Sequence, residues 1–163
     1  MPNPSMSNVR PQVGPVPLTL RAIPELGQAP SSSGDARDVI VAVRKLYGRV
    51  GFQPPWICYL AFEAERCVGT CGFTSPPHDN RVEIAYYTFS ENEARGVATR
   101  MASELIEIAR KSSRDLIITA HTLPRQGAST AVLRKLGFAH IGTTEHPEDG
   151  TIWEWQLGDG LEG

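Results

Sequence analysis

Glu83-Ile84-Ala85-Tyr86-Tyr87-Thr88-Phe89, a short loop, then Glu93-Ala94-Arg95-Gly96-Val97-Ala98-Thr99: this stretch decides the fold. A mostly apolar strand carrying one carboxylate runs into a loop. The loop runs into Gly-x-Ala at the start of an amphipathic helix. The first turn of a helix leaves its N–H groups without intrahelical partners. The helix dipole adds partial positive charge at the same end. Both aim at one point beyond the strand, and the natural tenant of such a point is a phosphate or pyrophosphate. Gly96 lets that ligand approach the backbone with no Cβ in the way. The competing explanation for Gly96 and Ala98 is tight packing of the helix against a sheet.

The pattern extends in both directions. The helix runs from Gly96 to about Ser112, with Val97, Met101, Leu105 and Ile108 as its buried stripe. Leu116 to Ala120 is a continuous apolar run, which predicts a strand covered on both faces. A helix from Gln126 to Leu136 is stopped by Gly137. Strands at Ala139–Thr144 and Thr151–Gln156 flank a Pro-Glu-Asp-Gly turn. Upstream, Leu18–Ile23 alternates as a strand. Asp35 caps a helix reaching about Arg49, with Val39, Ala42, Val43 and Leu46 on one face. Trp56–Glu63 and Cys67–Phe73 form a hairpin around Ala64-Glu65-Arg66, and Arg81–Phe89 is a long strand. The order is βαββ followed by βαβαββ, with no internal repeat. Residues 1–17 read as a flexible Pro-rich tail, 18–158 as one domain and 159–163 as a short C-terminal tail.

Composition bounds the function. Hydrophobic residues make up 40% of the 163 and charged residues 21%, with a net charge of −2. This is the balance of a soluble globular chain. No Lys/Arg run or basic-aromatic stripe points to nucleic acid. No apolar run reaches membrane-spanning length, and the start does not resemble a secretory signal. A cytoplasmic protein without a membrane partner is expected. Cys67 and Cys71 fall four residues apart in one strand, about 13 Å, too far to bridge. With Cys58 they read as buried thiols in a reducing compartment. Neither Cys-x-x-Cys nor paired His spacing occurs, so no metal is expected.

Glu83 to Met101 resembles the acetyl-CoA-binding core of the GNAT (Gcn5-related N-acetyltransferase) superfamily. That pattern is Gln/Arg-x-x-Gly-x-Gly/Ala, and it stands here as Glu93-Ala94-Arg95-Gly96-Val97-Ala98, with Glu at the first position. A second segment, Gln126-Gly127-Ala128-Ser129 through Leu133-Arg134-Lys135-Leu136-Gly137-Phe138, is similar to the Asn-x-x-Ser…Leu-x-Lys-x-Gly-Phe signature. Members akin to the ribosomal-protein alanine acetyltransferases carry that signature. Gln126 replaces the Asn and keeps the amide. The resemblance implies an α/β (α+β) fold. Its mixed central sheet would hold about six to seven strands with one splayed parallel pair, flanked by helices.

The resemblance also implies the site. Acetyl-CoA would be the co-substrate, its pantetheine arm in the gap between the splayed strands. Tyr87, Thr88 and Phe89 would offer backbone groups to the arm. The N–H groups from Ala94, Arg95, Gly96, Val97, Ala98 and Thr99 would hold the pyrophosphate. Gln126 would lie near the arm or the adenosine. Glu83 occupies the position where many members carry a general base. Amine acetylation needs a neutral amine, whereas alkyl amines are protonated at pH 7. The competing explanation for Glu83 is a strand-edge carboxylate paired with Arg81. Leu133 stands where many members carry a tyrosine acid. Ser129 would then donate a proton to the thiolate, unless it is an ordinary first-turn serine. His121, at the carboxyl end of the central strand, is either an auxiliary base or a wall of the acceptor pocket, unless it is a structural or solvent-exposed strand-end histidine. Trp153 and Trp155 read as core or dimer packing, with acceptor lining as the alternative.

The expected activity is acetyl transfer to a primary amine by direct attack in a ternary complex. A protein N-terminus, an amino acid or a small amine would be the acceptor. The rivals are an acyl-CoA-binding sensor without efficient catalysis and a domain holding another nucleotide-like phosphate. A homodimer is compatible, with the last strand as an exposed edge.

Overall fold

The computed structural model describes residues 16–89 and 96–158. The expectations for residues 1–15 and 159–163, and for Glu93, Ala94 and Arg95, lie outside the described residues. The elements are β1 (Leu18–Ala22), α1 (Gly34–Val50), β2 (Cys58–Glu63), β3 (Arg66–Phe73), β4 (Arg81–Thr88), α2 (Val97–Ser112), β5 (Ile117–Thr122), α3 (Ala128–Lys135), β6 (Phe138–His146) and β7 (Gly150–Leu157). This is the α/β order that the sequence predicts: a seven-stranded mixed sheet with three helices.

One helix start differs. Ser33, extended at ψ 160°, caps α1 by accepting from the Ala36 N–H at 3.3 Å. Asp35 is not the cap; it sits inside the first turn, where its charge suits the dipole. α3 ends as expected at Gly137, whose φ of +99° an L side chain rarely adopts.

The strand order is β1-β2-β3-β4-β5-β7-β6. The last strand is therefore not an edge: β7 pairs antiparallel with β5 on one side and β6 on the other. Burial explains this. β7 carries Ile152 and the fully buried Trp155, whereas β6 is largely exposed and takes the edge. The edge strands are β1 and β6.

Among the described residues β4 and β5 form the one parallel pair, and it is short. Arg81 faces Ile117, Val82 faces Ile118 and Glu83 faces Thr119. Beyond Glu83 the two strands have no register partners in each other. β4 continues against β3, and β5 against β7.

The sheet works as a partition. Thr70 and Gly72 of β3 and Ala85 of β4 line a space under α1. A Cβ on Gly69, next to Thr70 and so on the opposite face, would lie 3.1 Å from Met101 of α2. On that second face Arg134 of α3 lies over the Trp155 ring. α1 thus covers one face at β2–β4, and α2 and α3 cover the other. The core between them contains Leu60, Phe73, Ile84, Met101, Leu105 and Trp155, each 1% exposed or less. β5 is not covered on both faces as its apolar run predicts. Ile118 and Ala120 are buried toward α2 and α3, while Ile117, Thr119 and His121 lie on the α1 face, beyond the reach of α1, and stay partly open.

Candidate active site

A cleft of about 680 Å³ opens where β4 and β5 part. Its walls are Tyr86 to Thr88 of β4, the start of α2 from Gly96 to Thr99, and Ala128, Ser129 and Val132 of α3. The start of α2 is bare. Gly96 is the N-cap at φ +79°, no side chain caps the helix among the described residues, and its first turn holds no acid. Among the described residues the N–H groups of the first turn therefore face the cleft without partners, under the positive end of the dipole. A Cβ on Gly96 would meet nothing within 4 Å. Packing does not explain this glycine; its left-handed backbone does.

The free edge of β4 is equally specific. Glu83 accepts from Thr74 N–H at 3.0 Å and Phe89 N–H donates to Val68 at 3.0 Å, both toward β3. Alternation turns the backbone groups of Ile84, Tyr86 and Thr88 the other way, into the gap. Two expected backbone contributors are thus corrected. Phe89 N–H is committed to the sheet and its side chain is buried, 4% exposed. Tyr87 turns its backbone toward β3, and by alternation its side chain shares the face of Glu83 and Ala85. Thr88 remains, and Tyr86 joins it.

On the α1 face, at the closed end of the gap, Glu83 does not pair with Arg81. Its Oε2 lies 2.9 Å from His121 Nδ1, and its Oε1 accepts from Thr74 Oγ1 at 3.3 Å. Arg81 reaches Gln156 instead. His121 Nε2 lies 3.5 Å from Glu154 Oε2. Parallel register puts Glu83 on the face of Thr119 and His121, and antiparallel register puts Glu154 opposite His121. One row of carboxylate, imidazole and carboxylate thus crosses three strands and runs out toward solvent. His121 is therefore not a lone histidine. With Nδ1–H donating to Glu83, His121 orients that carboxylate, and its Nε2 lies toward the half-buried Glu154.

Ser129 lines the cleft, and its backbone carbonyl accepts from the Tyr86 hydroxyl at 3.3 Å. Burial pushes the Tyr86 pKa above that of an ordinary phenol, so at neutral pH its hydroxyl is a neutral hydrogen-bond donor. Leu133 is fully buried and contributes only packing. Gln126 does not line the cleft; its carboxamide oxygen accepts from Arg134 at 2.6 Å and from Thr130 Oγ1 at 3.3 Å. It braces the start of α3. Trp153 and Trp155 stack with His140 on the α2–α3 face, away from Glu83. Tyr86, Thr74 and Glu154 escaped the sequence reading. Tyr86 could have been noticed as the one phenol of β4 whose backbone faces the gap, but Glu154 is placed only by the β5–β7 register.

Among the described residues no group of His, Cys, Asp and Glu is arranged to hold a metal ion, and no helix is long and apolar enough to cross a membrane. The three cysteines are free, and burial pushes the Cys58 thiol up to about 11.

This architecture is that of an acetyltransferase. The chain belongs to the GNAT acetyltransferase family: the family model described as Acetyltransferase (GNAT) domain matches residues 17–139. Solved structures share the fold. A chimera of the Vibrio cholerae spermidine N-acetyltransferase SpeG and hSSAT has a TM-score of 0.66 at 13% identity, over 88% of this chain and 96% of that one. RimL, a ribosomal alpha-N-protein acetyltransferase, gives 0.62 at 18% identity in its complex with coenzyme A, over 87% and 95%. The ribosomal-protein-S5-alanine acetyltransferase of Vibrio fischeri gives 0.59 at 16%, over 80% and 77%. No curated protein sequence matches significantly.

Proposed function

We propose that the protein is an N-acetyltransferase that moves an acetyl group from acetyl-CoA to a primary amine by direct attack in a ternary complex. One observation carries this reading. The gap between β4 and β5 closes at the Glu83–Thr119 pair, so it joins a bare helix start on one face to the Glu83–His121–Glu154 row on the other. Acetyl-CoA supplies an activated acyl thioester and a pyrophosphate. The bare N–H groups from Val97 to Thr99 suit the pyrophosphate, and the unpaired edge of β4 suits an amide-bearing arm. Both features are independent of any capping or pairing within the described protein.

The residues then divide the work. Glu83 takes the ammonium proton and releases it to water at its partly exposed rim, while His121 Nδ1–H holds the carboxylate in place. An N–H of Tyr86 or Thr88 polarises the thioester carbonyl. Tyr86, held at Ser129, offers its hydroxyl as a hydrogen-bond donor to the departing thiolate; Ser129 assists from α3. A CoA thiol ionises near the ordinary cysteine value of about 8.5, so this donation lowers the barrier without being indispensable. The acceptor is a protein N-terminus, an amino acid or a small amine. Free buried thiols fit a reducing cytoplasm, and a homodimer would pair through β1 or β6.

The test is an acceptor screen with acetyl-CoA, reading thiol release and the acetylated product by mass spectrometry. Enzyme-dependent acetylation of an amine supports the reading. Tight acetyl-CoA binding with no amine acetylated overturns it in favour of an acyl-CoA-binding sensor.

A further inference from the structure

A second space lies on the face where the amine must arrive. It measures about 350 Å³ and sits between α1 and the sheet, with Val39, Val43 and Leu46 above and Cys58, Phe73 and Ala85 below. No Asp, Glu, Lys or Arg lines it among the described residues. The threonine hydroxyls of its walls are already spent. Thr70 Oγ1 donates to Tyr59 carbonyl at 2.8 Å, and Thr74 Oγ1 donates to Glu83 at 3.3 Å. The second of these bonds also fixes the position: Thr74 belongs to the wall and touches the carboxylate, so Glu83 stands at the rim. Ala85, two residues along on the same face, continues from Glu83 into the space.

We infer that the acceptor is a small primary amine with an apolar body, whose hydrocarbon or aromatic part fills this space while its nitrogen meets Glu83. This rests on the proposed acetyl transfer and names its substrate class. The volume lies at the low end of small-molecule sites, enough for one branched or aromatic group and too small for a folded surface. A second cation entering it would lose its water and find no carboxylate among the described lining residues. A diamine or polyamine is therefore a poor acceptor.

The test has a binding arm and a turnover arm. Methyl NMR of the CoA-bound protein is followed during titration with 2-phenylethylamine, isoamylamine and spermidine. The Val39, Val43 and Leu46 methyl signals should shift with the first two and not with spermidine. In turnover, kcat/KM for isoamylamine should exceed that for putrescine by about 100-fold. Ala42→Phe, on the exposed side of α1 at the mouth of the space, should raise KM for 2-phenylethylamine at least about tenfold and leave acetyl-CoA affinity unchanged. Silent methyls, or putrescine or spermidine turned over as well as isoamylamine, overturn the inference while acetyl transfer stands. Failure to bind acetyl-CoA, with no amine acetylated, overturns both.

Discussion

Replacing Glu83 with Gln isolates its charge from its shape. The amide can accept from His121 Nδ1–H through its oxygen and donate to Thr74 Oγ1 through its nitrogen, so both contacts, now 2.9 and 3.3 Å, have a counterpart. The fold should lose no more than about 1–2 kcal/mol, the difference between a charge-assisted and a neutral hydrogen bond on a partly exposed side chain. The kinetic loss follows from the amine. An alkyl ammonium ionising near 10.4 is neutral to about one part in 2,500 at pH 7, so losing the base costs up to about 10³-fold in kcat/KM. An α-amine ionising near 8 is about one-tenth neutral, which caps the loss at about tenfold. In the variant, kcat/KM should then climb about tenfold per pH unit until the amine itself titrates. The assay is a pH series of thiol release for both proteins, with acetyl-CoA affinity measured in parallel. Unchanged kcat/KM at pH 7 refutes Glu83 as the base. A large drop in acetyl-CoA affinity would place Glu83 on the cofactor side instead.

Other substitutions test separate links. Gly96→Ala forces a Cβ into the left-handed region at about 1–2 kcal/mol, partly offset by a stiffer unfolded chain. A net loss near 1 kcal/mol is expected in urea unfolding, with at least about tenfold weaker acetyl-CoA binding from the Cβ at the helix start. Normal affinity would remove the bare helix start from the site. Trp155→Ala empties a fully buried position and breaks the indole bond to Thr122 Oγ1 at 2.9 Å. It should cost about 3–5 kcal/mol, and a loss under 1 kcal/mol would contradict the burial. Alkaline pH should destabilise the fold. Burial raises Cys58 from about 9 to about 11 and Tyr59 from about 10 to about 12, so the unfolded chain gives up these protons first. Their contribution is complete below pH 9 and lost between pH 9 and 12. The urea midpoint should fall between pH 8 and 10.5, and Cys58→Ala should flatten the part between 9 and 11; a midpoint independent of pH would refute the assignment.

The local half of the structure was legible in the sequence. Periodicity located the elements because each helix and strand buries one face, and Gly137 announced the helix stop whose left-handed backbone few other residues tolerate. Gly-x-Ala after an apolar strand pointed to the helix start that lines the cleft. Long-range pairing was not legible. Nothing in residues 150–157 says that this strand enters between β5 and β6, and only that insertion carries Glu154 to His121. The direction of β4's backbone groups was hidden for the same reason: parity along a strand is local, but which side is open depends on where the neighbour departs. Hence Phe89 was counted toward the gap and Tyr86 overlooked. Gln126 matched a motif by composition, yet Arg134 one helix-length away occupies its oxygen.

The most direct test of the central claim is calorimetric titration of the protein with acetyl-CoA, using ATP and NAD as controls. The account predicts saturable one-to-one binding of acetyl-CoA, with ATP and NAD at least about tenfold weaker because neither carries an arm to lie along β4. Equal affinity for all three would reduce the site to a phosphate cradle. No binding of acetyl-CoA would contradict the account at its root.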